Sequence, residues 1–210
     1  MKTLDNIDFL IFDLGNVIID IDYDLSINEL KKILPAEKHS LTENFFVSTF
    51  HKEYEKGRIS NSDFRDEVRN LFGENWTDEQ IDHVWNSLLV HIPVERLALL
   101  KNLRKSFRTA ILSNTNDIHI QKFNQMLEGV SDFSNIHDLC DVVFLSHEMG
   151  LAKPDKAIYQ EVLEQLNVHG KKTIFFDDLL ANVKGAEEVG INAVQITHPK
   201  ALIDFFDNVQ

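Results

Sequence analysis

Ile11-Phe12-Asp13-Leu14-Gly15-Asn16-Val17 is the stretch on which the fold turns. The apolar run Phe9, Leu10, Ile11, Phe12 reads as a buried strand that stops on a carboxylate and turns at once through a glycine. In an open parallel sheet, ligands sit outside the carboxyl ends of the strands. Asp13 therefore stands as a metal ligand, a nucleophile or the residue that folds its own turn. A second run, Thr173-Ile174-Phe175-Phe176, stops on Asp177-Asp178. Three carboxylates aimed at one crevice repel strongly unless a cation joins them, so the pattern points to a metal-dependent enzyme acting on an anion.

Outward from these two segments, apolar β-type runs occur at 8–12, 109–113, 142–146, 173–176 and 193–197. Helical patterns at 94–106, 156–166, 182–189 and 200–206 lie between most of them. This alternation predicts an α/β fold, a Rossmann-like doubly wound parallel sheet with helices on both faces. Each of the first four runs ends in a polar residue, Asp13, Ser113, Ser146 or Asp177, as a crevice at one sheet edge requires.

Residues 21–92 break the alternation, with no convincing strand and helical stretches at 26–34, 42–50, 60–72 and 77–91. Ser60-Asn61-Ser62-Asp63 offers a helix start, and Thr77-Asp78-Glu79-Gln80 has capping-box spacing. Gly57 and Gly73 supply stops. The expected organisation is a core of residues 1–20 and 93–210, with an all-α lid inserted over 21–92.

The 210 residues allow one well-packed domain with a small insertion. A formal charge of −13 argues against nucleic acid or an anionic membrane as partner. An anion site must then be local, built from a metal, a lysine and backbone N–H groups. The lone Cys140 rules out an internal disulfide and fits a reducing compartment. No apolar run approaches the ~20 residues that span a bilayer, and Asp5 and Asp8 stand where a signal peptide would have its apolar core. The expectation is a cytoplasmic protein.

Among candidate ligands, oxygen donors predominate. Mg²⁺ suits a site of one or two carboxylates plus a substrate phosphate, and Mn²⁺ accepts the same donors. Zinc is disfavoured by the absence of a thiolate pair and of HExxH among nine His. Lys153, in Gly150-Leu151-Ala152-Lys153-Pro154-Asp155, precedes a proline that fixes the backbone, with Asp155 placed to cap the next helix. Ser113-Asn114-Thr115-Asn116 gathers hydroxyl and amide donors, of which Thr115 or Asn116 is expected to cap a helix.

Taken in this order, the four segments resemble the haloacid dehalogenase (HAD) superfamily of hydrolases. That family's signature is a strand ending in a nucleophilic Asp, a strand ending in Ser or Thr, a Lys, and a strand ending in paired acids. The likeness covers nearly the whole chain, and the lid lies where the family's helical type 1 cap is inserted. Phe12-Asp13-Leu14-Gly15-Asn16-Val17-Ile18, Leu112-Ser113-Asn114-Thr115-Asn116 and Phe175-Phe176-Asp177-Asp178 look like the bacterial subgroup that includes an α-glucose-1-phosphate phosphatase.

The resemblance implies a Mg²⁺-dependent phosphatase acting on a small phosphorylated metabolite, with hexose 1-phosphates favoured. Asp13 would attack phosphorus and form an aspartyl-phosphate. Asp13, Asp178 and the Gly15 carbonyl would bind Mg²⁺, with Asp177 in or just behind the metal shell. Leu14, Ser113, Asn114 and Lys153 would hold the phosphoryl group, Lys153 also keeping Asp13 ionised, and Asn182 would fix the acid loop.

One departure stands out. Most phosphatases of the family carry a second Asp two residues after the nucleophile, and here that position is Gly15. Either the leaving group needs little protonation, as an anomeric hydroxyl does, or Asp20, Asp22 or a lid residue such as His51 substitutes, or the protein is a slow, regulatory phosphate binder. The 2-haloacid dehalogenases also lack the second Asp, but they work without metal and do not need Asp177-Asp178. The lid segment 51–57 reads equally as a solvated helix–loop or a specificity element, with Gly57 as a hinge or a helix stop.

Overall fold

The computed structural model describes residues 4–208. In chain order it forms β1 (Phe9–Phe12), β2 (Asp20–Ile21), α1 (Tyr23–Ile33), a 3₁₀ segment Ala36–Asn44, α2 (Thr49–Glu55), α3 (Asn61–Phe72), α4 (Asp78–Asn86), β3 (Leu89–His91), α5 (Val94–Leu103), β4 (Arg108–Ser113) and α6 (Asp117–Val130). It continues through β5 (Val142–Leu145), α7 (Ser146–Met149), α8 (Lys156–Leu166), β6 (Thr173–Asp177), α9 (Leu180–Glu187), β7 (Asn192–Gln195) and α10 (Ala201–Asp207).

The main sheet has the order β5-β4-β1-β6-β7, every pair parallel. This is the expected Rossmann-like α/β core. Because β1 is central, its side chains are buried on both faces: Leu10 and Phe12 pack into one apolar cluster, Phe9 and Ile11 into the other. A strand covered on both sides reads as a continuous apolar run, which is why Phe9–Phe12 was so legible. Phe12 stacks on Phe176 of the neighbouring strand at 5.3 Å, fixing β1 against β6.

The intervening helices carry a third apolar cluster of their own, centred on Phe45, Phe64, Phe72 and Trp85. Both expected helix starts form full capping boxes, Ser60 with Asp63 and Thr77 with Gln80. Gly73 ends α3 in the left-handed region at φ 62°.

Several expectations need correction. The segment 21–92 does contain strand: β2 and β3 pair antiparallel where the chain leaves and re-enters the core. The stretch 77–91 thus stops being helix at Asn86, and β3 takes its end. The helix expected over 42–50 is instead a 3₁₀ segment that ends at Asn44, with α2 starting at Thr49. The first helix begins earlier than Ser26, at Tyr23, because Asp22 accepts from the Asp24 N–H and caps it. Between β4 and β5 lies α6, which the sequence pattern did not give, capped by Asn116. No described helix is long and apolar enough to cross a membrane.

Candidate active site

Parallel pairing brings the ends of β1, β4 and β6 side by side. The Asp13 N–H donates to the Phe176 carbonyl at 2.8 Å, so the chain is still held to β6 as it leaves the sheet. Asp13 is 7% exposed, Ser113 3%, Lys153 5% and Asp177 0%. Sequence positions 13, 113, 153 and 177 thus converge on one buried polar cluster.

Lys153 sits at its centre. Its Nζ donates to Asp13 Oδ1 at 2.7 Å, to Asp177 Oδ2 at 2.7 Å and to the Leu112 carbonyl at 3.0 Å. An ammonium has three N–H bonds, so all are engaged. Burial alone would lower the Lys153 pKa, but the two carboxylates outweigh it and raise it. The lysine is therefore a fixed positive charge. Its loop is held by a reciprocal pair, Asn114 Nδ2 to the Lys153 carbonyl at 2.8 Å and Lys153 N–H to Asn114 Oδ1 at 2.9 Å. Asp155 does not cap α8; it reaches Lys56 of the helical segment at 3.4 Å.

The adjacent acids Asp177 and Asp178 differ. Asp177 has both oxygens occupied, Oδ1 by the Leu179 N–H and Asn182 Nδ2, Oδ2 by Lys153 and again Asn182. Asp178 is half-buried, and its Oδ2 accepts from Asn16 Nδ2 at 2.9 Å. Asn16 was missed by sequence reasoning. Its φ of 54° is left-handed, a conformation that Asn tolerates better than most residues, and its Oδ1 accepts from the Ile21 N–H. An Asn directly after Gly15 in a tight turn was the available signal.

Asp13 Oδ1 accepts from Lys153 and from the Leu14 N–H, which lies 2.7 Å away. Oδ2 has no protein donor among the described residues. Ser113 Oγ makes only a long 3.5 Å contact to the Asn114 carbonyl, so its hydroxyl can turn to a ligand. Ligand oxygens of Asp13, Asp177 and Asp178 all lie within 4.8 Å of one another. Burial, with Asp177 adding to it, pushes the Asp13 carboxyl up to about 8 against the pull of Lys153 and the Leu14 N–H. Burial likewise raises Asp178. One lysine thus leaves the three acids undercompensated, and an all-oxygen donor set short of positive charge fits Mg²⁺. None of the turn's backbone hydrogen bonds among the described residues uses the Gly15 carbonyl, which stays available as a further donor.

A cavity of about 230 Å³ opens over this cluster. Its floor includes Asp13, Gly15, Asn114, Lys153 and Asp178, and its opposite wall is Tyr23, His51 and Glu55. A narrower extension of about 60 Å³ runs beneath Phe46, Trp85 and His119. The segment 51–57 therefore faces the crevice through His51 and Glu55. Gly57 ends the α2 turn, its N–H donating to the Tyr54 carbonyl, and it also permits a close approach. A Cβ there would lie 1.9 Å from the His147 carbonyl oxygen. Ser146, at the end of β5, donates from Oγ to the Glu55 carbonyl at 2.6 Å and accepts from the Thr115 N–H at 2.9 Å.

Asp20 and Asp22 do not reach this cavity. Asp20 pairs with Arg96 at 2.7 Å, and Asp22 caps α1.

Comparison with known proteins agrees with the geometry. The family model described as a haloacid dehalogenase-like hydrolase matches residues 7–190. D-ribitol-5-phosphate phosphatase of Bacteroides thetaiotaomicron is 28% identical over 186 residues, covering 89% of this chain and 90% of that protein. A HAD family enzyme from the same organism, solved with magnesium and inorganic phosphate, superposes with a TM-score of 0.82 at 37% identity, covering 90% of this chain and 93% of that one. A predicted HAD-like family hydrolase from Porphyromonas gingivalis gives a TM-score of 0.85 at 27% identity, covering 97% and 99%.

Proposed function

The chain belongs to the haloacid dehalogenase-like hydrolases, and we propose that it is a Mg²⁺-dependent phosphomonoesterase of small sugar and polyol phosphates, using Asp13 as nucleophile. The observation that carries this reading is the Asp13–Lys153–Asp177–Asp178 cluster, in which one Asp13 oxygen is held by Lys153 and the other has no protein donor.

Asp13 Oδ2 attacks phosphorus, forming an aspartyl-phosphate as the ester P–O bond breaks; water then cleaves the intermediate. Lys153 holds Asp13 in place and opposes the burial that raises its pKa, and bound Mg²⁺ would complete its ionisation. Asp177, wholly occupied by protein donors, orients Lys153 and ties it to α9 through Asn182. Asp13, Asp178 and the Gly15 carbonyl form the metal-binding set, and Asn16 aims Asp178. Bound there, Mg²⁺ would neutralise phosphoryl oxygens and help hold them in line. Ser113 Oγ and the Asn114 backbone take the remaining phosphoryl oxygens. Phosphoryl transfer needs mainly such positioning and charge stabilisation.

Residues 21–92 act as the cap of a core formed by 1–20 and 93–210, with β2 and β3 as the connection. Sugar 1-phosphates are the first substrates to try, because an anomeric leaving group needs little protonation and Gly15 offers none. Polyol phosphates come next, by analogy with the ribitol-5-phosphate phosphatase. The lone, buried Cys140 suits a cytoplasmic setting.

Phosphate release from hexose 1-phosphates, D-ribitol 5-phosphate and p-nitrophenyl phosphate, with Mg²⁺ and with EDTA, tests the reading. Asp13→Asn should lower Mg²⁺-dependent turnover by roughly 10⁴-fold or more, the scale set by loss of a nucleophile, with the circular dichroism spectrum unchanged. Full activity in that variant would place the nucleophile elsewhere. Phosphate binding with no release from any ester would mark a binding protein.

A further inference from the structure

Gly15 leaves the core without a group to protonate the departing oxygen, and the space beside it is taken by a neighbouring side chain. A Cβ at Gly15 would lie 3.0 Å from Ile21 Cδ1, whose side chain fills that space. The titratable side chains facing Asp13 from across the cavity are Tyr23, His51 and Glu55.

The His51 ring is fixed. Nδ1 lies 2.7 Å from the Phe46 carbonyl, which can only accept, so Nδ1 carries a proton and Nε2 is the nitrogen that titrates. Nε2 lies 3.4 Å from Glu55 Oε1, one helical turn on. The ring packs edge-on against Trp85 at 5.2 Å and Phe46 at 6.0 Å. Glu55 is itself anchored to the core, since its carbonyl accepts from Ser146 Oγ and Gly57 packs on His147. With Nδ1 committed to the Phe46 carbonyl, Nε2, at ion-pair distance from Glu55 and on the cavity wall, is the nitrogen left to give a proton into the cavity.

We propose that His51, positioned by Glu55, is the general acid that protonates the leaving-group oxygen, in the part that an acid at position 15 would otherwise play. The proposal rests on the phosphatase reading and removes its reason to favour sugar 1-phosphates, because an ordinary alcohol can then leave. As Asp13 Oδ2 bonds to phosphorus and the ester P–O bond breaks, the Nε2 proton passes to the departing oxygen. The neutral imidazole then takes a proton from the water whose oxygen displaces Asp13 from phosphorus. This returns His51 to its cationic form, Asp13 to a carboxylate, and releases phosphate.

The surrounding charges favour this assignment. Burial works to lower the His51 pKa, but Glu55 and the Phe46 carbonyl outweigh it and the net shift is upward, with Lys52 opposing. His119 of α6 lies near and is held neutral, Tyr23 of α1 stands beside the pair, and Asp13, Lys153 and Asp178 face it across the cavity. The cationic form that donates is therefore favoured relative to that of a free imidazole.

The test compares kcat/KM for the aliphatic phosphate that the panel turns over best with that for p-nitrophenyl phosphate, whose phenolate leaves without a proton. His51→Gln should lower the aliphatic value by ~10²–10⁴, the usual worth of general acid help, and the p-nitrophenyl value by less than about tenfold. In the wild type, the aliphatic rate should fall as pH rises past the His51 pKa. That limb should vanish in His51→Gln and move to lower pH in Glu55→Gln, which carries the test if His51→Gln folds poorly. Equal losses on both esters would overturn the proposal, as would a wild type that cleaves p-nitrophenyl phosphate alone. Absence of release from every ester would instead defeat the phosphatase reading, and this proposal with it.

Discussion

The sheet edge and the cap wall that faces it hold their polar groups in opposite ways. At the sheet edge Lys153 has three acceptors, Asp177 has four contacts from three donors, and Asn114 is bonded reciprocally to the lysine loop. Each group's position is set several times over by short polar contacts. On the cap wall the His51 ring has one short polar contact, to the Phe46 carbonyl, and a longer one to Glu55, and otherwise packs on the rings of Phe46 and Trp85. The difference follows from what each wall must do. On the proposed reading the nucleophile and metal ligands cannot tolerate displacement, whereas the wall that would meet the leaving group has to fit one organic residue among many. Preorganised charge belongs to the sheet edge, and shape to the helical wall that the proposal reads as a cap.

Breaking the core side should have the largest effect on stability. Lys153→Met leaves Asp13 and Asp177 buried against each other without a cation, and removal of one partner from a buried ion pair costs about 3–5 kcal/mol. In a chain of this length that lowers the melting temperature by roughly 10 °C, together with turnover. Added Mg²⁺ should recover part of the melting temperature. Thermal melts with and without Mg²⁺ check this, and an unchanged melting point would show that the cluster is not the rigid element described here.

A smaller effect is expected where cap meets core. Gly57→Ala would place a methyl against the His147 carbonyl at a residue with φ of +64°. The strain and overlap should cost roughly 1–3 kcal/mol. Because the pinned turn carries His51 and Glu55, KM for an aliphatic ester should rise more than the chemical denaturation midpoint falls. Equal behaviour of Gly57 and Gly57→Ala would mean that the cap does not need this contact.

At neutral pH the smallest effect, and the one that separates the two walls, is acid sensitivity. His119 stacks on Trp85 at 4.9 Å, and its Nδ1–H donates to Asn86 Oδ1 at 3.0 Å. Burial, with His51 adding to it, pushes its pKa down to about 3. The unfolded chain, with a histidine near 6.5, therefore binds more protons than the folded one across the interval between these values. Stability conferred by neutral His119 is full above about 6.5 and is lost as pH falls towards 3, with a slope of at most about 1.4 kcal/mol per pH unit. His119→Gln should flatten that slope in denaturant titrations from pH 7 to 4. An unaltered slope would assign acid unfolding to other groups.

Legibility in the sequence followed the same division. The motif strands were readable because their apolar runs are buried on both faces and end on polar residues. The capping boxes at Ser60 and Thr77 were readable because they are local, a side chain meeting a backbone N–H three residues away. By contrast α6 was missed because its buried residues serve two cores. Ile118 packs into the cap's aromatic cluster and Ile120 into the main core, so no single apolar stripe appears. β2 and β3, at two and three residues, are too short to show a period. The 3₁₀ segment 36–44 took the start of the helix expected over 42–50, for reasons the local sequence did not display.

The sequence by itself determined the α/β core, the identity of the polar residues delivered to the sheet edge, and the choice of oxygen donors over sulfur or imidazole. These follow from strand burial and side-chain chemistry, both written residue by residue. Only the tertiary structure decided how the acids divide their work, because Asp177 and Asp178 are neighbours in sequence and differ solely in what surrounds them. It likewise decided that Asn16 aims Asp178, that Ile21 occupies the space beside Gly15, and that His51 and Glu55 face Asp13. Those relations join elements far apart in the chain, and contacts of that kind are set by packing, to which local pattern is blind.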